Sequence, residues 1–492
     1  MNMAQLPLLA PLLTLAGGAV LIMLQIAVRR SPSAARVLAA LTCALAMLAC
    51  LGQAPPDAAN QVTPLLLADR LALLLSAVCA LSAGVITILS GDTIESRSDQ
   101  PEEYYLLLVL ATLGSCVLVY ANHVASLLLG LELLSLSLYA LVAYPSREPE
   151  PVEAATKYLV LSGAATAIML FGFALVYAAT GTLSFPAMGE RLASVDVGQG
   201  LVLPGMAMVL VGLAFKLALA PLHLWTPDVY QGAPSPVSGY LASVAKIAPF
   251  VGLLRFFIGA DVSRIPSLVE VTAVLAALSM MIGNLLALLQ NDLKRMLAYS
   301  SIAHVGYLFI VFSAGSAESL RPLAAEAGIF YLIAYMPTVV AAFAVLTLIQ
   351  PRGQADEALT LDSVAGLFWR QPVAATLMLL AMLSLAGIPL TAGFIGKLYI
   401  YSAAVAGGHW VLVGLMIIGT GLGIYYYLRV VYQMTRGDAA EAVGLEPGQN
   451  SAVAAAPSTG ITVYAVIVGL LTGILALGLL PQRLMQFLSG IF

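Results

Sequence analysis

The chain has 492 residues, of which 61% are hydrophobic and 9% charged; about a quarter are charged in soluble domains, so it reads as an integral membrane protein. Its apolar runs of about 20 residues select α-helices over a barrel, whose strands are shorter and alternate in polarity. The formal net charge of -4 is scattered along the chain and excludes the clustered basic face that a nucleic-acid partner requires.

In chain order, hydropathy predicts about fourteen spans. They run over Leu6–Val28, Val37–Leu51, Leu71–Leu89, Tyr104–Tyr120, Ala125–Tyr144, Lys157–Thr180 and Leu203–Tyr230. Gly239–Ile258, Val269–Leu289, Met296–Phe312, Ala325–Leu348, Val373–Ala404, Trp410–Met434 and Ile461–Leu480 complete the set. The first basic pair, Arg29 and Arg30, follows the first run instead of preceding it, the wrong polarity for a signal peptide. A retained first helix with its N-terminus outside puts 12 Lys and Arg side chains on the inner side and 6 on the outer, the bias expected of cytoplasmic loops. Both termini then lie outside, and the polar connection Thr435–Gly460 is a solvent loop.

Two spans do not finish as single helices. Within Gly212–Gly239, Pro221 arrives where a buried helix still needs a backbone donor, and His223, Trp225, Pro227, Asp228, Tyr230, Pro234 and Pro236 follow. A second interruption, Gly387–Gly396, contains Pro389 and Gly393. Broken helices at membrane depth are tolerated where protein or a wet cavity surrounds them, and they mark transport routes. The expected fold is an all-α polytopic membrane protein of about fourteen transmembrane helices with two inverted five-helix repeats, each containing a broken helix. In that scheme the span of Glu132 corresponds to the span of His304. Residues 1–103 form an N-terminal three-helix segment, 104–258 the first repeat, 259–434 the second, and 435–492 a cytoplasmic loop with the last helix.

Of the 21 basic residues, three remain at membrane depth: Lys216, Lys246 and Lys397. All are lysines, which release a proton when buried, whereas arginine does not. Glu132 is the one carboxylate clearly central to a span. It reads either as a structural ion pair or as the charge that sets the protonation of Lys216, and in both cases needs a partner. Lys246 reads as a relay group or an interfacial snorkel, and Lys157, after Glu148, Glu150 and Glu153, as a relay group or a solvated helix end. His223 and His304 read as supporting relay groups or satisfied core histidines. Lys294 and Arg295 follow a span end; His123 and His409 are interfacial. Tyr425–Tyr427 reads as packing or an interface belt. Cys43, Cys50, Cys79 and Cys116 lie in apolar stretches with no CxxC pair and read as core. Gly396-Lys397 lacks the earlier glycine and following hydroxyl of a phosphate loop.

WTPDVYQGAPSPVSGYLASVAKIAPF, LLGLELLSLSLYALVAY and EAATKYLVLSGAATAIMLFGFALVY resemble the subunit N family of proton-translocating NADH:quinone oxidoreductase, complex I, and the resemblance covers nearly the whole chain. It implies a membrane-arm subunit in a bacterial inner membrane, with both termini periplasmic and subunits M and K as neighbours. It also implies that Glu132, Lys216, Lys246 and Lys397 carry protons, with Lys157 matching a further lysine. NADH, FMN, iron–sulfur clusters and quinone would belong to other subunits, leaving this chain without a cofactor or metal. The rival readings are a sodium/proton antiporter or hydrogenase-linked subunit of the same superfamily, separated by sodium dependence, and a stand-alone solute carrier, separated by uptake without neighbours. A pure scaffold is disfavoured by three buried lysines.

Overall fold

Helices make up nearly all of the computed structural model, which describes residues 3–53, 60–145, 148–194, 200–350, 359–436 and 461–492. Most of the loop expected at Thr435–Gly460 lies outside the described residues. The first half contains α1 (Ala10–Val28), α2 (Pro32–Leu51), α3 (Arg70–Glu95), α4 (Glu102–Val119), α5 (Val124–Val142), α6 (Pro149–Thr180) and α7 (Phe185–Leu192). The region of the first break and its sequel contains α8 (Val202–Leu217), α9 (Trp225–Gly232), α10 (Ser235–Ala242) and α11 (Val244–Gly259). Then come α12 (Pro266–Leu288), α13 (Leu293–Ala314), α14 (Arg321–Ile349), the short α15 (Leu367–Arg370), α16 (Pro372–Ala386) and α17 (Ala392–Ala406). The chain closes with α18 (Trp410–Thr435), α19 (Ile461–Leu479) and α20 (Pro481–Leu488).

Twelve helical stretches among the described residues have the length and apolarity of a membrane span. The broken pairs α8/α9 and α16/α17 complete the fourteen crossings that hydropathy predicts. Helix starts follow local chemistry. Pro32, Pro149 and Pro266 open their helices where a missing amide costs nothing. Asp69 and Asp292 cap α3 and α13 by accepting from the amides of Ala72 and Arg295 at 2.7 and 2.8 Å.

The innermost helices are α13, α14 and the α10/α11 pair, and the broken helices pack around them. No hydrophobic force drives helices together within lipid, so small residues permit close approach. A Cβ on Gly172 of α6 would stand 2.6 Å from the carbonyl oxygen of Gly205 on α8, so two glycines set the contact that holds the first broken helix.

Four details depart from hydropathy. A small antiparallel hairpin, β1 (Asn60–Thr63) with β2 (Leu66–Ala68), joins α2 to α3. The short helices α7 and α20 lie outside the predicted spans; both are amphipathic, too short for a span-length window to register. The second interruption is narrower than Gly387–Gly396: α17 resumes at Ala392, and Gly393 and Gly396 are helical. Gly393 lets α17 approach Ser384 of α16, which a Cβ would overlap. Finally, Gly239–Ile258 is not one helix, because it breaks at Ser243 between α10 and α11. Pro249 withholds the amide that Ala245 would otherwise bond, and the Ser243 hydroxyl donates back to the carbonyl of Gly239 at 2.7 Å.

Candidate functional site

A proline inside a helix leaves the carbonyl four residues earlier without its donor. For Pro221 that carbonyl belongs to Leu217, and for Pro389 to Leu385. Both are bonded by buried lysines. Lys246 Nζ donates to Leu217 O at 2.9 Å, and Lys397 Nζ donates to Leu385 O at 2.9 Å and Ala386 O at 3.1 Å. Cationic groups at these positions also meet the negative ends of α8 and α16.

Further bonds hold each break. At the first, Ala218 takes a left-handed conformation (φ 61°), Trp225 Nε1 donates to Phe215 O at 3.1 Å, and the amide of Ala220 donates to Ser279 Oγ of α12 at 2.9 Å. At the second, Gly387 is left-handed (φ 82°) and the amide of Gly393 donates to Ser384 Oγ at 3.0 Å. Side chains thus take up backbone groups that the unwound segments leave without helical partners.

Lys216 points the other way. It ends α8 and donates to Ser135 Oγ of α5 and Ser162 Oγ of α6, both at 2.8 Å. Glu132 Oε1 is 3.7 Å from its Nζ and accepts from Thr166 Oγ1 at 2.9 Å. The lysine side chain is 3% exposed and that of Glu132 38%, so the ion pair spans from the interior to the lateral surface. Lys246 and Lys397 make no ion pair among the described residues. Their nearest aromatic faces are Trp225 at 5.3 Å and Tyr307 at 5.4 Å, measured from Nζ to ring centroid.

His304 sits mid-way along α13 with both ring nitrogens on tyrosine hydroxyls: Nδ1 to Tyr331 at 2.6 Å and Nε2 to Tyr427 at 3.0 Å. A hydroxyl donates or accepts, so this pair satisfies the neutral ring and the imidazolium alike. His223 lies in the first break, edge-on to Tyr299 at 6.4 Å, with its ring beside the Pro221 backbone but neither nitrogen completing a hydrogen bond. The hydroxyls of Tyr230 and Tyr335 both approach that of Ser301 without completing a hydrogen bond. Tyr230 is on α9, Ser301 is one turn before His304, and the Tyr335 ring is 5.1 Å from the His304 ring. A polar row thus leads from the first break to His304.

Lys157 is not drawn into this axis. Its side chain is 44% exposed and bonds Glu153 at 2.8 Å and Asp228 at 3.0 Å. Arg295 takes the other oxygen of Asp228 at 2.7 Å and Gln231 Oε1 at 2.9 Å. Lys294 is 2% exposed and donates to Ala233 O at the end of α9, at 3.0 Å. His123 caps α5 through the Ala125 amide at 3.0 Å, and His409 bonds Ser313 O at 2.9 Å. The four cysteines are buried and free.

Sequence reading missed the polar partners. Ser135, Ser162 and Thr166 look like ordinary helix-packing residues, and Tyr427 looks like one of a belt. Tyr425 is 66% exposed as a belt residue would be, but Tyr427 is buried against His304. The one available signal was the polarity of Ser135 and Ser162 in otherwise apolar helices.

A family model for the transmembrane region of NADH:quinone oxidoreductase and Mrp antiporters matches residues 121–423. The chain is 42% identical over 486 residues to NADH-quinone oxidoreductase subunit N of Methylococcus capsulatus, covering 98% of this chain and 94% of the relative. A chain of respiratory complex I from Thermus thermophilus superposes with a TM-score of 0.80 at 33% identity, covering 98% of this chain and 100% of that one. A chain of the Mrp complex from a Dietzia species superposes with a TM-score of 0.81 at 22% identity over 98% and 96% of the two chains, a likeness of fold. With Lys216, Lys246 and Lys397 at two helix breaks inside the matched region, the chain belongs to the antiporter-like membrane-subunit family of NADH:quinone oxidoreductase, among its N subunits.

Proposed function

We propose that the chain translocates protons as a membrane-arm subunit of respiratory NADH:quinone oxidoreductase, with Lys216, Lys246 and Lys397 as the proton-carrying groups. The observation that carries this reading is the placement of three of the four buried lysines, Lys216, Lys246 and Lys397, at the two helix breaks, with Glu132 paired to Lys216 alone of the three. Protons enter from the inner side near Lys246, pass along the polar row of Tyr230, Ser301 and His304, and leave outward from Lys397. Buried polar groups with incomplete hydrogen bonds normally take water, which would give this row its conducting atoms. His304 relays because its two tyrosines suit either protonation state, and His223 extends the row at the first break.

Glu132 sets the charge on Lys216. Unit charges about 4 Å apart interact by about 4 kcal/mol at an effective dielectric constant near 20, and the partial exposure of Glu132 reduces that figure. Drawing Glu132 away lets Lys216 pass its proton on; restoring the pair reloads it. A carboxylate exposed at membrane depth is costly in lipid, so a neighbouring subunit covers Glu132 and supplies the displacement. Subunits M and K are the proposed neighbours. Lys157, paired with Glu153 and Asp228, serves the inner entrance. NADH, FMN, iron–sulfur clusters and quinone reside in other subunits. The membrane is the bacterial inner membrane, with both termini periplasmic. The segments 104–258 and 259–434 act as the two inverted repeats, one for each break.

The test compares proton pumping with electron transfer in the assembled, reconstituted complex carrying Lys216→Ala or Glu132→Ala. Both activities are expected to fall while assembly survives. Normal pumping by both assembled variants would make the buried charges structural.

A further inference from the structure

Lys246 and Lys397 have no carboxylate among the described residues, yet each is given a partner of another kind. Two cation–π contacts occur among the described residues, and both belong to these lysines. Lys246 Nζ lies 5.3 Å from the Trp225 ring centroid and Lys397 Nζ 5.4 Å from that of Tyr307, inside the distance of about 6 Å over which a ring face attracts a cation. The lysine with a carboxylate, Lys216, is bonded by two hydroxyls instead. Each ring is also tied down by its polar atom. Trp225 Nε1 donates to Phe215 O at 3.1 Å, and the indole stacks on Tyr158 at 4.5 Å.

Tyr307 is held from two helices. Its hydroxyl accepts from Asn284 Nδ2 of α12 at 2.8 Å, with the Thr420 hydroxyl of α18 beside it. Asn284 is itself fixed: the same nitrogen donates to Met280 O at 2.7 Å, and its Oδ1 accepts from the Tyr426 hydroxyl at 3.1 Å. Gly419 of α18 makes room for the contact, since a Cβ there would stand 2.8 Å from both Asn284 Nδ2 and the Tyr307 oxygen. Asn284 and Tyr307 are each 1% exposed, and an amide buried in an apolar helix is costly unless it is fully bonded. Here its bonds converge on one ring. A carbonyl accepts from an amine and an ammonium alike, whereas a ring face favours the charged form.

We propose that Asn284 and Tyr307 are positioning residues for Lys397: they hold a ring face against its ammonium in the place that Glu132 takes beside Lys216, and so stabilise the charged lysine without a counter-charge. The inference rests on the reading of Lys397 as a proton carrier. Of the helices packed against α17, α13 brings His304, α14 brings Tyr331 and Tyr335, and α18 brings Tyr427 into this neighbourhood, with Tyr401 on α17 itself. The α16 segment has no titratable side chain, and α19 has only Tyr464, which is 46% exposed. None of these groups is a carboxylate, which leaves the ring face of Tyr307 to favour the loaded lysine. Weakening that face makes Lys397 empty at lower pH, so the alkaline limb of pumping moves down the pH scale.

The test measures NADH-driven pumping against pH in proteoliposomes of the whole complex, with position 307 occupied by phenylalanine and by its mono-, di- and trifluorinated forms. Fluorine withdraws negative charge from the ring face and leaves the ring's size almost unchanged, so packing stays constant along the series. The alkaline limb is expected to move stepwise to lower pH, by about one pH unit from the first member to the last. A flat series would overturn the proposal. Asn284→Leu is expected to move the limb the same way in the native background and to change nothing further in Tyr307→Phe, which lacks the hydroxyl through which Asn284 acts. Equal shifts in both backgrounds would overturn the positioning role of Asn284. Lys397→Ala separates the two levels: native pumping by it would overturn the carrier reading and this inference together, whereas a flat series beside an inactive Lys397→Ala would overturn this inference alone.

Discussion

The two helix breaks solve one problem with the same chemistry and differ in what surrounds it. In each, a proline frees the carbonyl four residues earlier, a left-handed residue turns the chain, and a buried lysine bonds the freed oxygen. At the first break that lysine, Lys246, comes from the next span. At the second, Lys397 comes from the far half of the same broken helix. The first break also carries Lys216, whose carboxylate partner Glu132 reaches the lateral surface. At the second, no carboxylate pairs with the lysine among the described residues: Lys397 is held by α16 carbonyls and faces Tyr307, with His304 and its tyrosines nearby. The first break thus pairs its lysine with a partly exposed carboxylate, while the second keeps its lysine among buried carbonyls and aromatic rings.

Removing the shared element should have the largest effect. Lys246→Ala leaves one buried carbonyl and Lys397→Ala two without a donor, costing about 1 to 3 kcal/mol per orphaned group, and each removes a proposed proton carrier. Pumping in proteoliposomes is expected to fall at least about tenfold, equivalent to about 1.4 kcal/mol on the barrier. Lys397→Ala should also cost more stability, because its Nζ holds two carbonyls and that of Lys246 one; thermal melting of the complex reads that difference. Equal melting shifts would break the comparison.

Gly387→Ala tests the second break without touching its charge. A Cβ there would stand 3.0 Å from Lys397 Cδ and 3.2 Å from Nζ, on a residue at φ 82°, so it pushes the lysine from its carbonyls. A threefold to tenfold loss of pumping is expected, about 0.7 to 1.4 kcal/mol. The reciprocal change, Ala218→Gly, makes the first break resemble the second. It relieves about 1 kcal/mol of left-handed strain against a similar gain in unfolded-state freedom, so pumping and melting should stay close to native. A large loss would mean that the Ala218 methyl group has a role beyond the turn.

Much of this was legible in the sequence because lipid is an unforgiving solvent. Lysines in apolar runs stand out, and Pro221 and Pro389 announce the breaks. The identity of the freed carbonyls follows from counting back four residues. What the sequence could not show was which donor each carbonyl receives, since Lys246 arrives from 29 residues away and backbone acceptors leave no compositional trace. Tyr331 and Tyr427 were hidden for another reason: a buried tyrosine that packs and one that holds a histidine look alike until both ring nitrogens of His304 are placed.

The central claim is that Lys216 must release a proton and not merely hold a charge beside Glu132. Lys216→Arg tests it most directly, because arginine preserves a cation within reach of Glu132 but does not deprotonate in a protein. The account predicts a complex that assembles at native levels and has lost NADH-driven pumping together with the electron transfer coupled to it. Full pumping by the assembled Lys216→Arg complex would contradict it.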